Sequence, residues 1–369
     1  MFFCDLNKYK YIYMDMISQY KNIGLLSLSA IGIYALYKTI TNISSPSSSS
    51  LYSNAFMHKL HNTPLLYIKS LSSSTQRNIY LKCESSLPFS HKDRIITNII
   101  LNAMSNHLIT PTTTTLYCAV IPSQIISYIS ICKHFGFKCV LVTPLNDVNA
   151  VPSYISQYKN DETCSIIITK NCSYSNFNDN YIRKAKKLAQ CDANGFYIDV
   201  YNDITNMQTH YNETGKEIYE QLKGKVDVFV CCCNDTGGTI SGVSNYLKER
   251  RKDVKVGVGD VKGSGVYNYI THGVMFSADG KEGCMKTEDD GVMGVGCKFL
   301  NVNVQKAKVD KAYHVSDEEI KKMKMFMEEN EKMIVDDATA VNLVTVVKVI
   351  EDKWVDVGGN VVSVLFEKK

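Results

Sequence analysis

Thirteen cysteines occur in the 369 residues, yet no Cys-x-x-Cys pair occurs and none of them falls at metal-ligand spacing. That pattern argues against a zinc site or a dithiol redox centre. Cys231-Cys232-Cys233 instead form an unbroken apolar run, which reads as reduced core thiols of a cytosol-facing protein. An excess of charge of one sign is missing too. The formal net charge is +4, and no basic stripe interleaved with aromatic residues is present, so nucleic acid is not an expected partner. The chain has no repeat of 20–50 residues, which excludes solenoids and propellers. What remains is ordinary globular stock, 45% hydrophobic and 21% charged. The length suits two domains, or one and a half with a targeting segment.

The first fifty residues stand apart. Residues 22–37 carry no charge and are mostly apolar, with Lys21 and Lys38 at the edges. As a helix this stretch would span roughly 24 Å, and the flanking lysines could snorkel to make up the membrane thickness. A serine-rich linker, Ser44 to Ser50, follows. Asp5 and Asp15 precede the apolar run, which disfavours a cleaved signal peptide. The expectation is an N-terminal membrane-anchor helix, with the mitochondrial outer membrane as its address. From Leu51 on, strands and helices alternate. Strands are expected at 78–82, 116–120, 137–142 (ended by Thr143-Pro144), 165–169, 227–232, 255–258 and 360–366. Helices are expected at 94–106, 124–134, 181–189 and 239–250. Short apolar strands between helices predict parallel sheets flanked by helices.

Two elements carry chemistry. Asp235-Thr236-Gly237-Gly238-Thr239 follows an apolar strand and opens a helix. Its glycines allow a tight turn and close backbone approach, its threonines add hydroxyls, and the helix start adds N–H groups, which together suit an anion. Asp235 opposes that use unless its carboxylate points elsewhere. Lys92, in Ser90-His91-Lys92-Asp93-Arg94, sits at another helix start, where the dipole disfavours an ammonium and favours a reactive amine. By spacing alone, the first is equally an empty strand-to-helix turn, and the second a solvated lysine beside Asp93. Taken as a pair, an amine and a phosphate turn match the needs of pyridoxal phosphate, which is held as a Schiff base and by its phosphate.

Further motifs give the pair a context. Leu60-His61-Asn62-Thr63-Pro64-Leu65 resembles the Gly-Asn-Thr-Pro-Leu of cysteine synthases and cystathionine β-synthases, and Ser90 to Arg94 resembles their Ser-x-Lys-Asp-Arg. Thr209-His210-Tyr211-Asn212-Glu213-Thr214-Gly215-Lys216-Glu217-Ile218 is similar to their Ala-His-Tyr-x-x-Thr-Gly-Pro-Glu-Ile, and residues 235–239 to Gly-Thr-Gly-Gly-Thr. The likeness runs over roughly residues 60–350 and, with the N-terminal segment, resembles the fungal, membrane-anchored cysteine synthase-like branch. It implies an α/β, two-domain tryptophan synthase β-like fold (fold type II of pyridoxal phosphate enzymes), with parallel or mixed sheets flanked by helices. Residues 1–50 would be anchor and linker, 51–95 and 190–369 the large cofactor domain, and 96–189 the small substrate-loop domain. Lys92 would be the Schiff-base lysine, and Thr236, Gly237, Gly238 and Thr239 would hold the phosphate. Gly294-Val295-Gly296 would lie near the cofactor. A homodimer and a small amino-acid substrate are implied.

Two places depart from the family pattern. The substrate-carboxylate loop falls on Val120-Ile121-Pro122-Ser123-Gln124-Ile125, where Ser123 replaces the asparagine expected at the cofactor's ring hydroxyl. Pro122 has no N–H and Ile125 resists positive φ. Near the C-terminus Ala338 takes the place of the serine that meets the pyridine nitrogen, with Thr339 or Asp337 as substitutes. The implied activity is replacement of the β-substituent of an activated serine by a thiol nucleophile such as sulfide, at a reduced or altered rate. The alternatives are a catalytically silent, membrane-tethered binding or scaffold module, and another amino-acid lyase or racemase on the same fold.

Overall fold

Runs of β-branched residues from distant parts of the chain meet in the middle of one sheet. The computed structural model describes residues 55–145, 158, 161–170, 180–276, 292, 294–297 and 299–367. The expected anchor and linker lie outside them. Among the described residues no helix is long and apolar enough to cross a membrane.

The larger sheet has the order β1-β2-β10-β7-β8-β9, formed by β1 (Leu65–Tyr67), β2 (Asn78–Cys83), β7 (Val228–Val230), β8 (Lys255–Val261), β9 (Lys311–Val315) and β10 (Asn360–Leu365). Only β1 runs antiparallel, against β2; the other pairs are parallel. Its helices are α1 (Lys69–Thr75), α5 (Ile204–His210), α6 (Lys216–Gln221), α7 (Gly238–Arg250), α8 (Val266–His272), α9 (Val302–Lys306), α10 (Asp317–Glu331) and α11 (Asp337–Glu351). Central strands read apolar on both faces because helices cover both, as Val228, Phe229 and Val230 show by being fully buried. The smaller sheet, β5-β4-β3-β6, is all parallel: β3 (Thr115–Ala119), β4 (Lys138–Leu145), β5 (Cys164–Lys170) and β6 (Gly195–Ile198). With it pack α2 (Asp93–Ser105), α3 (Ile125–His134) and α4 (Tyr181–Cys191). Each sheet has its own apolar core. On α2, Ile95, Ile96, Ile99 and Ile100 fill the smaller one, each burial contributing about 1.5–3 kcal/mol.

Two local readings change. Pro144 does not end β4, which continues to Leu145. Beyond Val142 the strand pairs only with β5, so the missing N–H of Pro144 leaves no ladder bond unmade. The run 227–232 is strand only from Val228 to Val230; Cys231 still bonds the Gly257 carbonyl on β8 (3.1 Å), and the buried chain then runs through Cys233 toward the glycine turn. Of the described cysteines only Cys191 is exposed, and all are free thiols. Because β2, β7 and β10 are parallel neighbours, their C-terminal ends open at one edge, and there α/β sheets bind ligands.

Candidate active site

Lys92 reaches that edge from the loop after β2. Asp93, fully buried, accepts from the backbone N–H of Phe89 (2.8 Å) and Ser90 (3.1 Å) and from Ser127 Oγ. Burial pushes its carboxyl up to about 6 despite those bonds. Asp93 is thereby committed to the loop, and Lys92, the N-cap residue of α2, turns inward. The lysine is 2% exposed, which removes the solvated-lysine alternative. Its Nζ lies 3.4 Å from the carbonyl oxygen of Asn234, two residues before Thr236. The expected amine and the expected phosphate turn are therefore neighbours. Burial lowers the pKa of the amine, and Asp235, Cys297 and Glu367 counter it in that order.

Much of the remaining motif holds this placement. Arg94, fully buried, meets Glu84 through Nε (3.0 Å), Glu217 through Nη1 (2.6 Å) and Nη2 (2.9 Å), Glu213 (3.2 Å) and Thr63 Oγ1 (3.0 Å). Lys82 adds a bond to Glu217 (2.7 Å) and to the Thr63 carbonyl (2.6 Å). Three separated motifs, those of Thr63, Arg94 and Glu217, thus converge on one ionic cluster beneath the start of α2. Arg94 and Lys82 hold the Glu217 carboxyl down to about 2 against its burial.

The glycine turn is built from both sides. Gly237 is left-handed (φ +72°) and is the N-cap of α7. A Cβ at Gly238 would lie 1.9 Å from Asn206 Oδ1, so that position admits no side chain. Asn206 donates to Thr236 Oγ1 (3.1 Å) and to the Val200 carbonyl (2.7 Å). Because Thr236 accepts there, its hydroxyl proton is free to turn to an anion. His210 bridges Thr214 Oγ1 (Nδ1, 2.9 Å) and Thr239 Oγ1 (Nε2, 3.2 Å). Burial, with Arg94 and Lys92 nearby, pushes His210 down to about 3, so it is neutral and orients Thr239 rather than adding charge. Among the described residues the N–H groups of Gly237, Gly238 and Thr239 have no acceptor. Across the cleft, a Cβ placed on Gly294 (φ +76°) would meet only Ile121 (3.9 Å) and Asn234 (4.0 Å). The expected loop, the Gly-Val-Gly segment and the lysine wall therefore face one another.

The other expected contacts are built differently. Pro122–Gln124 is a 3-10 turn, with Ser123 exposed and Gln124 buried. The N–H of Gln124 bonds the Ile121 carbonyl (3.0 Å), the N–H of Ile125 bonds Pro122, and Pro122 has none to give. Ile125 has helical φ (−54°), so the loop runs straight into α3 without an open cradle. At the start of α11, Ala338 is buried and offers no polar side chain. Thr339 spends its hydroxyl, which donates to Asp336 and accepts from the Phe366 N–H (3.1 Å). Asp337 pairs with Lys324 (2.7 Å). Pyridoxal phosphate fits the amine and phosphate ends of this cleft, while the ring-nitrogen end has no free side-chain partner among these three. The sequence had marked neither Asn206, whose signal is invisible outside the fold, nor the bridging role of His210, which was at least inside a motif.

The family model described as pyridoxal-phosphate dependent enzyme matches residues 57–367. The chain belongs to that family. Among curated proteins, it is 33% identical over 298 residues to cysteine synthase 2 of Neurospora crassa, covering 78% of this chain and 65% of that one. Cysteine synthase 2 of Emericella nidulans is 32% identical over 312 residues, covering 78% and 71%. A Saccharomyces cerevisiae protein provisionally named a mitochondrial cysteine synthase is 31% identical over 320 residues, covering 82% and 78%. An O-acetylserine dependent cystathionine β-synthase from Helicobacter pylori shares the fold with a TM-score of 0.69 at 20% identity, covering 85% of this chain and 94% of that one. Pyridoxal phosphate is the cofactor that the family and these relatives imply.

Proposed function

We propose that this protein is a cysteine synthase-like enzyme that replaces the β-substituent of an activated serine, such as O-acetylserine, with sulfide. The observation that carries the reading is the buried Lys92 amine 3.4 Å from the Asn234 carbonyl, at the mouth of the glycine turn. The names of the fungal relatives support the substrate class. When bound, pyridoxal phosphate supplies an electron sink for the carbanion left by loss of an α-proton. Lys92 would hold the group, and its buried amine is the base placed to take that proton. Thr236, Gly237, Gly238 and Thr239 bind the phosphate, with Asn206 and His210 fixing the hydroxyls. Ser123 and Ala338 stand where the ring hydroxyl and ring nitrogen are expected, and the spent N–H groups after Ile121 weaken the grip on a substrate carboxylate. A reduced rate follows.

We read the two sheets as a large cofactor lobe and a small substrate lobe, the molecule as a homodimer, and its address as mitochondrial, like that in the yeast relative's name. The altered loop also favours a second reading, a protein that takes up the cofactor but is silent in turnover. One experiment separates them: purified full-length protein is mixed with pyridoxal phosphate, and its visible band and cysteine formation are followed. The enzyme reading requires a band and a turnover that are both absent in Lys92→Ala. A band without turnover leaves the silent reading, and no band at saturating cofactor ends both.

A further inference from the structure

The loop at 121–125 turns its N–H groups onto itself, yet the helix it opens carries two polar side chains with nothing to bond. Gln124 is the N-cap residue of α3, but its side chain makes no capping bond. It is 3% exposed, and Tyr128, one turn on, is 1% exposed. Among the described residues neither the Gln124 carboxamide nor the Tyr128 hydroxyl has a hydrogen-bond partner. The hydroxyls of Thr97 and Tyr197 are unbonded too, but they are sealed in packing, whereas the polar ends of Gln124 and Tyr128 keep contact with open space. Burying an amide and a phenol without partners is costly, and two such groups side by side mark a place that a ligand completes.

The face they share looks onto the cleft. Residues 124, 127 and 128 stand at i, i+3 and i+4 and so line one side of α3. On that side Ser127 Oγ donates to Asp93, the neighbour of Lys92. Farther along the same side, Tyr128 feels the charge of Asp235, the first residue of the glycine turn. Just before the helix, Ile121 and Asn234 approach one point above Gly294 from opposite walls (3.9 and 4.0 Å).

The surroundings suit an anion. α3 has no acidic residue in its first turn and presents the positive end of its dipole. The two carboxyls at hand are already engaged. Asp93 accepts from Phe89, Ser90 and Ser127. Asp235, on a left-handed backbone (φ +66°) that aspartate tolerates better than most residues, has the Tyr201 hydroxyl 3.0 and 2.9 Å from its two oxygens. Burial raises both carboxyls, which lessens the charge they set against a second anion. The Tyr128 phenol is raised well above its usual range and remains a protonated donor.

We propose that Gln124 and Tyr128 are the specificity-determining donors that grip the carboxylate of an α-amino-acid substrate, in place of the backbone N–H groups that the loop spends on itself. That the ligand is an amino acid rests on the preceding reading of the site; the pair of unused donors does not.

The test measures binding by full-length protein. L-Alanine carries the amino-acid carboxylate without a leaving group, and L-alaninamide keeps the skeleton without the carboxylate. In isothermal titration of the cofactor-loaded protein, wild type takes L-alanine about tenfold or more tighter than L-alaninamide. Gln124→Leu and Tyr128→Phe each weaken L-alanine about tenfold and leave L-alaninamide within about twofold. The visible band is intact in both, and the denaturation midpoint of the ligand-free protein holds or rises, because an unpaired polar group has been removed. Unchanged discrimination in the two variants overturns the proposal. So does a lowered denaturation midpoint in Tyr128→Phe, which would give that hydroxyl a structural partner. Should Gln124→Leu fail to fold by circular dichroism, Gln124→Glu replaces it and should abolish the preference for L-alanine by repelling its carboxylate. The two readings fail separately. A band in wild type without discrimination overturns the carboxylate grip alone. No band in wild type sinks the cofactor reading, and the titration is then run on cofactor-free protein, where discrimination lost in the variants sustains the grip and its absence in wild type overturns it.

Discussion

The two walls of the cleft follow different rules. The wall of Lys92 and the glycine turn is over-determined: an ionic cluster fixes the lysine from below, and His210 and Asn206 fix the threonines from behind. The facing loop, residues 121–125, turns the N–H groups of Gln124 and Ile125 onto its own carbonyls, while the start of α11, in the larger sheet's core, ties up Thr339 and Asp337 with Asp336, the Phe366 N–H and Lys324. In the proposed reading, holding a cofactor demands the rigid array of donors on the first wall, and choosing a substrate falls to the loop at 121–125.

That contrast breaks most severely at Lys92. Lys92→Ala is expected to abolish both the visible band and turnover, a loss of at least about 1,000-fold, with the denaturation midpoint preserved. Next comes the cluster beneath. Arg94→Met leaves Glu84 and Glu217 buried with less counter-charge and should cost about 3–5 kcal/mol in chemical denaturation. If the loss is under about 1 kcal/mol, the cluster is not what anchors α2.

The pH dependence of stability comes third. The folded pKa of His210, about 3, lies below its ordinary 6.5. Between those values the unfolded chain binds a proton that the native state refuses. The contribution of His210 to stability is complete above pH 6.5 and is lost as pH falls toward 3, at most about 5 kcal/mol from this group. His210→Gln should flatten that stretch of the stability curve and weaken cofactor binding about tenfold, read by titrating the visible band. The smallest effect belongs to the other wall. Pro122→Gly returns one N–H to the loop and should lower KM for O-acetylserine a few-fold without touching the band. A change in the band instead would mean the two walls are not independent.

Legibility in sequence divides along the same line. The helix start at Lys92, the glycine turn at Thr236 to Thr239 and the positions of most strands among the described residues could be read because each is local: a lysine before an apolar helix, or glycines after an apolar strand. The direction of the Asp235 carboxylate could not, since it depends on a tyrosine 34 residues away in sequence and on the other core. Thr339 and Asp337 looked available as ring-nitrogen partners because composition does not show that Asp336 and Lys324 already engage them. The extension of β4 through Pro144 likewise depends on which neighbour strand has already ended.

The position of β10 has a consequence for how the molecule is made. Residues 360–365 lie between β2 and β7, bonded to both. Strands synthesised far earlier must stay apart, with their central slot vacant, until this segment emerges from the ribosome. Such distant pairing makes folding slow and leaves sticky edges exposed in the meantime. A nascent chain stalled before residue 360 should therefore be a substrate for chaperones, since its cofactor edge lacks the middle rung.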